Sequence, residues 1–221
     1  MEKNDILSAL IDLGVVVILR SDDPGQLMRA VEALRAGGLR AFEVTMTVPG
    51  ALDVMRDVGH RFGSEILLGA GTVLDGETAR SAILAGGQFI VSPSLSQSVI
   101  TAAHRYSKVV VPGAFTPTEI LTAWEAGADI VKVFPIRSVG PHYLKDVLAP
   151  LPQVRLMPTG GVNLENAADF IRAGAVAVGM GGALLDKAIL AEGRFEELTE
   201  RARRLLDAIQ RARATISVES D

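Results

Sequence analysis

Short apolar runs alternate with amphipathic helical patterns along almost the whole chain, and this alternation restricts the fold more than any other feature. The strand-like runs are Val15–Leu19, Ala41–Thr45, Ile66–Ala70, Phe89–Val91, Val109–Val111, Ile130–Val133, Arg155–Met157 and Val176–Val178. Between or after them lie the helical patterns Pro24–Ala36, Ala51–Phe62, Glu77–Leu84, Gln97–Arg105, Thr118–Glu125, Pro141–Leu148, Leu164–Arg172 and Leu184–Leu190. Uninterrupted alternation of this kind implies a parallel sheet with helical crossovers. Ala36-Gly37-Gly38, Ala85-Gly86-Gly87, Ala126-Gly127-Ala128 and Ala173-Gly174-Ala175 each close a helix just before a strand. Glycine there accepts the left-handed conformation that ends a helix, and small neighbours let helix and strand approach.

Eight such units fit a (β/α)8 TIM barrel. The expectation is a single domain over residues 1–221, with the barrel core at about 15–191. A doubly wound open sheet alternates in the same way, but no Gly-rich pyrophosphate turn follows the first strand. Two pieces lie outside the repeat. Asp5–Leu13 reads as a helix covering the N-terminal mouth, and Phe195 to Arg213 as a charged amphipathic helix, with Thr215–Asp221 expected to fray.

Composition narrows the partners. The net charge is −4 and no basic face with interleaved aromatics appears, which argues against nucleic-acid binding. Cysteine is absent, so neither a disulfide nor a thiolate metal site can form. No apolar run approaches membrane-spanning length and the N-terminal residues lack a leader pattern, so a cytoplasmic protein is expected.

One residue breaks the apolar logic. Lys132 sits in Asp129-Ile130-Val131-Lys132-Val133-Phe134-Pro135, which otherwise reads as a buried strand. An ammonium in such surroundings costs several kcal/mol unless it is paired, discharged or made to react. Side-chain alternation puts Ile130, Lys132 and Phe134 on one face, and Ala41, Glu43 and Thr45 on one face of the second strand. Glu43 and Lys132 then both point inward, where an amine and a carboxylate can share a proton. A structural ion pair is the competing interpretation. Buried pairs add little net stability, though, and packing alone would favour apolar residues there.

Other polar or glycine-rich strand ends are Arg20, Gly71-Thr72, Ser92-Pro93, Thr159-Gly160-Gly161 and Gly181-Gly182. The last two glycine pairs fall where barrels often bind phosphate through backbone N–H groups, although such pairs also serve as plain tight turns. His60, His104 and His142 lie in or beside helices, form no ligand-spaced cluster, and give no metal site. Arg155 reads as structural, and Met28 and Trp124 as packing.

Together Phe42-Glu43-Val44-Thr45, Gly69-Ala70-Gly71-Thr72-Val73, Ser92-Pro93, Val111-Pro112-Gly113, Val131-Lys132-Val133-Phe134-Pro135, Pro158-Thr159-Gly160-Gly161-Val162 and the Gly-rich eighth loop carry a family signature. Over Val15 to Leu185 the chain resembles the 2-keto-3-deoxy-6-phosphogluconate (KDPG) and 4-hydroxy-2-oxoglutarate (KHG) aldolases, which are class I pyruvate aldolases. The resemblance implies a homotrimeric (β/α)8 barrel that needs no cofactor and cleaves a 2-keto-4-hydroxy acid to pyruvate and an aldehyde. By the same resemblance Lys132 would form the Schiff base and Glu43 would act as general acid/base. Thr72 and Pro93 would flank the pyruvate with Phe134 over it, while Thr159, Gly160, Gly161, Gly181 and Gly182 would continue the cleft.

Two positions depart from the family pattern. Thr47 stands where some members carry a carboxylate-holding arginine, for which Arg20 is the candidate replacement. Ala183 stands where phosphate-gripping relatives often have serine. The natural substrate therefore stays open between phosphorylated, phosphogalactonate-type and unphosphorylated acids. A phosphate-binding isomerase or synthase barrel and a non-catalytic binding barrel are the wider alternatives.

Overall fold

Successive strand residues face two separate apolar clusters, and this parity organises the molecule. The computed structural model describes residues 1–21 and 23–219. Its elements are α1 Lys3–Leu13, β1 Val15–Leu19, α2 Pro24–Ala36, β2 Ala41–Thr45, α3 Ala51–Phe62, β3 Leu67–Gly71, α4 Gly76–Leu84, β4 Phe89–Val91, α5 Gln97–Arg105 and β5 Val109–Val111. They continue as β6 Gly113–Ala114, α6 Pro117–Glu125, β7 Val131–Val133, α7 Gly140–Leu148, β8 Leu156–Pro158, α8 Ala167–Arg172, β9 Val178–Met180, α9 Lys187–Ala191 and α10 Phe195–Glu219.

All strand pairs are parallel, in a six-stranded sheet ordered β5-β4-β3-β2-β1-β9 and a three-stranded sheet ordered β6-β7-β8. This is the expected parallel α/β architecture. Pro112 alone separates β5 from β6, and its carbonyl accepts the Lys132 N–H at 2.9 Å. At the other edge, Val176 N–H donates to Leu156 O at 3.0 Å and Thr159 bridges Gly179.

Val15, Val17, Leu19, Phe42, Val44, Leu68, Ala70, Ile90, Val110, Val131 and Val133 pack against the helices. The opposite strand faces contribute Val16, Ala41, Leu67, Phe89, Val91, Val109, Val111, Ile130, Met157 and Ala177, joined by Ile6 and Leu10 of α1. Helix α1 therefore caps this second cluster, as its apolar spacing requires. Met28 and Trp124 pack on the helix-side cluster, and Arg155 lies over the Trp124 ring and donates to Asp129 O at 3.3 Å.

Several boundaries differ from the sequence expectation, each for a local hydrogen-bonding reason. The last strand is Val178–Met180 rather than Val176–Val178, because Gly14 O accepts the Val178 N–H and sets the register Val15↔Val178. Strand β3 begins at Leu67 and extends through Gly71, which pairs with Thr45. Strand β7 begins at Val131 and β8 spans Leu156–Pro158, since the ladder opens with Val131 N–H donating to Arg155 O and the first register pair is Val131↔Leu156. Helix α8 begins at Ala167, not Leu164, because the residues before it form an asparagine-held turn. Helix α9 begins at Lys187, not Leu184, because Leu184 and Leu185 both donate to Gly181 O and Asp186 supplies the cap. Helix α10 runs past Arg213 to Glu219, beyond the expected end, with Thr215 Oγ1 donating to Arg211 O at 3.0 Å. Ser220 and Asp221, also in the stretch expected to fray, lie outside the described residues.

The two ends of the chain are tied together by Arg213 of α10. Its guanidinium donates to the carbonyls of Ile11, Asp12 and Val176, and its terminal nitrogen fills the space a side chain at Gly14 would need. Charged donors on buried carbonyls contribute more than neutral ones. Replacing Arg213 with alanine is expected to cost about 2 kcal/mol. Urea unfolding would show this as a lower midpoint, with faster amide exchange concentrated in α1.

Candidate functional site

Glu43 and Lys132 are the two charged residues that the strands carry into the interior. Glu43 is 1% exposed and Lys132 5% exposed. On β2, Phe42 and Val44 join the helix-side cluster, so Glu43 must face the other way. On β7, Val131 and Val133 do the same, which turns Lys132 inward. Glu43 sits level with Ile18 of β1 and Gly69 of β3, and Lys132 level with Gly113 of β6 and Met157 of β8. Ala41 and Ile130, two residues earlier on their strands, belong to the apolar cluster capped by α1. The charged pair thus lies toward the C-terminal strand ends, above a floor that excludes water.

The electrostatics follow from that placement. Burial raises the Glu43 carboxyl above its ordinary value of 4.5, and the positive charges of Lys132 and Arg20 offset only part of the effect. Desolvation disfavours a carboxylate more than distant cations can repay. No direct ion pair joins Glu43 to either cation; Glu43 Oε2 is buried with no hydrogen-bond partner. Among the described residues Lys132 Nζ has no hydrogen-bond partner either, and it lies 5.3 Å from the centroid of the Phe134 ring.

Strand β3 is shaped for this carboxylate. A Cβ on Gly71 would coincide with Glu43 Oε1, and one on Gly69 would collide with the Phe89 ring. Two of the three inward positions of the strand, 69 and 71, are glycine because Phe89 and Glu43 occupy the volume, while Leu67 packs in the apolar floor. Thr72 follows immediately with φ 58°, a left-handed backbone that a β-branched residue adopts only under constraint. Strain of this kind concentrates at functional sites.

The remaining expected residues surround the pair unevenly. Arg20 follows β1, exposed at the rim, and acts electrostatically on Glu43. The backbone of Pro93, half-buried after β4, lies against Gly113, the register neighbour of Lys132. The Phe134 ring is 37% exposed and covers Gly160, whose missing side chain leaves it room. Thr159 is buried and occupies the space beside Gly179. Gly161 sits against Arg137, and Gly181 faces Ile18. Gly182 stands apart, with open space where its side chain would be. His60, His104 and His142 are exposed, and no group of metal-ligating side chains occurs among the described residues.

Sequence reasoning did not single out the Thr45–Thr47 hydroxyl contact of 2.9 Å, the unpartnered buried Ser92 hydroxyl, or Asn166, which donates to Gly161 O at 3.0 Å. The only sequence signal for the carved strand was glycine at alternate positions 69 and 71.

A parallel α/β fold that buries an amine and a carboxylate at mid-strand, on the C-terminal side of its apolar floor, has the arrangement of an enzyme site. Residues 6–201 match the family described as "KDPG and KHG aldolase", and the chain belongs to that aldolase family. It is 36% identical to the 2-dehydro-3-deoxy-6-phosphogalactonate aldolase of Escherichia coli K12 over 173 residues, covering 78% of this chain and 84% of the relative. To the 2-dehydro-3-deoxy-phosphogluconate aldolase of Treponema pallidum it is 34% identical over 196 residues, covering 88% and 91%. The solved structure described as "Native KDPGal structure" superposes with a TM-score of 0.84 at 33% identity, covering 90% of this chain and 96% of that one.

Two outcomes follow from the buried carboxylate. Gly71→Ala should displace Glu43 and lower aldolase turnover by about 10²-fold, the cost of an ångström-scale misplacement, in a steady-state assay. Because the folded-state value of Glu43 is raised, its stabilising contribution is full below pH 4.5 and is lost as pH rises through the folded value. Urea unfolding of wild type and Glu43→Gln should therefore show the variant gaining stability relative to wild type from pH 4 to pH 7. A constant difference across that range would contradict the desolvation argument.

Proposed function

We propose that the chain catalyses reversible aldol cleavage of a 2-keto-4-hydroxy acid to pyruvate and an aldehyde through a Schiff base on Lys132. The observation that carries this reading is a buried lysine and a buried glutamate sharing one interior, without direct contact and with unused polar atoms. The substrates in view are 2-keto-3-deoxy-6-phosphogluconate, giving glyceraldehyde 3-phosphate, and 4-hydroxy-2-oxoglutarate, giving glyoxylate. The two sheets are taken as one closed (β/α)8 barrel in a single domain. Support comes from the continuity of β5 and β6 through Pro112 and from the Thr159–Gly179 bridge at the other edge.

The chemistry uses groups of the chain and water. The neutral Lys132 amine adds to the C2 ketone, and loss of water leaves an iminium. As the C3–C4 bond breaks, its electron pair moves toward that cation and forms an enamine. Glu43, acting through water, accepts the proton of the C4 hydroxyl, and the aldehyde departs. Protonation at C3 and hydrolysis then release pyruvate and restore the amine. Burial, which raises the Glu43 carboxyl above its ordinary value, makes it a better proton acceptor than an exposed carboxylate. Arg20 at the rim supplies positive charge for the substrate carboxylate, in place of an arginine at Thr47. Thr72, Pro93 and Phe134 bound the pyruvate, and Thr159, Gly160, Gly161, Gly181 and Gly182 extend the cleft.

A second reading is a phosphogalactonate-type substrate, favoured by the 36% identity with the Escherichia coli enzyme of that name. A homotrimer, which the family resemblance implies, accompanies either reading; a single-subunit mass by light scattering would count against it.

Borohydride reduction with pyruvate should place a stable adduct on Lys132, located by peptide mass mapping. An active preparation with Lys132 unmodified would end the Schiff-base mechanism. Lys132→Ala should abolish both trapping and cleavage while remaining folded, and Glu43→Gln should lower kcat by about 10²- to 10⁴-fold. Comparing the phosphogluconate, phosphogalactonate and hydroxyoxoglutarate acids by kcat/KM would separate the substrates.

A further inference from the structure

The loop after β8 is held from behind. Thr159 O accepts Ile136 N–H at 3.0 Å, Gly160 O accepts Arg137 N–H at 3.0 Å, and Gly161 O accepts Asn166 Nδ2 at 3.0 Å. Three consecutive carbonyls are thus engaged, two by the turn Ile136–Ser138 and the third by Asn166. A trans peptide is planar, so the N–H on each of these units points opposite to its C=O. The N–H groups of Gly160, Gly161 and Val162 are thereby turned away from these three donors. Positive φ at Gly160 (79°) and Gly161 (135°) permits the arrangement, and Phe134 and Arg137 occupy the space that side chains there would need.

Two of these anchors are backbone groups of the 3-10 turn and follow from the chain path. The third is a side chain. Asn166 is itself fixed by a reciprocal pair, in which its Oδ1 accepts Asn163 N–H at 2.8 Å and its own N–H donates to Asn163 Oδ1 at 2.9 Å. Both ends of its amide are therefore engaged, the oxygen by Asn163 N–H and the NH2 by the Gly161 carbonyl. Without that donor the Gly161–Val162 peptide is free to rotate, and its N–H loses its heading.

We propose that Asn166 is a positioning residue for substrate recognition: it holds the Gly161–Val162 peptide so that backbone N–H groups meet the distal anionic end of the 2-keto acid. This rests on the cleft assignment above, which sets Gly160 and Gly161 along the substrate beyond Lys132. Oriented N–H groups suit a phosphate or a carboxylate equally, since both offer charged acceptor oxygens. Asn166 touches neither the substrate nor the reacting atoms, so it affects binding of the distal end and leaves the chemistry at C2 alone.

The test compares wild type with Asn166→Asp and Asn166→Ala. The aspartate keeps the acceptor for Asn163 N–H but cannot donate to Gly161 O. For each protein, kcat and KM are measured with 2-keto-3-deoxy-6-phosphogluconate, its unphosphorylated counterpart and 4-hydroxy-2-oxoglutarate, alongside borohydride trapping of pyruvate. Both variants should raise KM by about tenfold for whichever acid carries the recognised anion, with kcat within about twofold. KM for the acid lacking a distal charge, and the trapped fraction, should stay as in wild type. A rise confined to the phosphorylated acid identifies phosphate as the ligand; one confined to the hydroxyoxoglutarate identifies carboxylate. Unchanged KM for every acid overturns the role of Asn166 alone. An equal loss across all three acids together with pyruvate trapping overturns it too, because it marks general disruption. A wild type that traps no pyruvate overturns this assignment and the catalytic reading beneath it.

Discussion

The cost of ionising a carboxyl group away from water governs the architecture around it. Glu43 is enclosed by strands on both sides, and the charges of Lys132 and Arg20 act on it only from a distance. A contact ion pair would quench both groups, whereas separation leaves each able to change protonation or react. The surroundings follow from this requirement. Strand β3 gives up two inward side chains, Phe89 fills the space beside Gly69, and α1 closes the apolar cluster from the far end. Of these, Gly71 answers Glu43 directly, since a Cβ there would fall on its carboxylate.

What could be read from the sequence divides along a physical line. The strand–helix alternation was legible because burial selects residue type at every position, and the inward facing of Glu43 and Lys132 followed from parity within each strand. Ends of elements were less legible where pairing decided them. Gly179 and Met180 look like loop, yet they are strand because Gly14 O fixes where β9 meets β1. Leu164 and Leu184 look helical, yet Asn163 and the Gly181 carbonyl divert the backbone around them. The fit of Gly71 against Glu43 depends on register between two strands, and the Asn166 bond depends on a loop conformation. Neither leaves a mark in local composition beyond a glycine or an asparagine.

The departures at Thr47 and Ala183 gain meaning in the same setting. Thr47 does not replace an arginine's charge; its hydroxyl meets Thr45 at 2.9 Å, and the positive charge acting on Glu43 at this side comes from Arg20 instead. Ala183 supplies no hydroxyl, and its carbonyl accepts Arg201 Nη1 at 3.4 Å. Under the proposed reading, recognition beyond the keto acid falls more heavily on main-chain groups than on side-chain donors.

The two apolar clusters share strands but divide their residues by odd and even position, so each strand keeps upkeep of the fold apart from its chemical work. Drift among the outward valines and leucines can retune durability without disturbing the interior. Sliding one residue in or out of β2 would do the reverse, presenting Phe42 or Val44 inside and turning the acid toward the helices. Such a lineage can vary widely in sequence while tolerating almost no change in strand length.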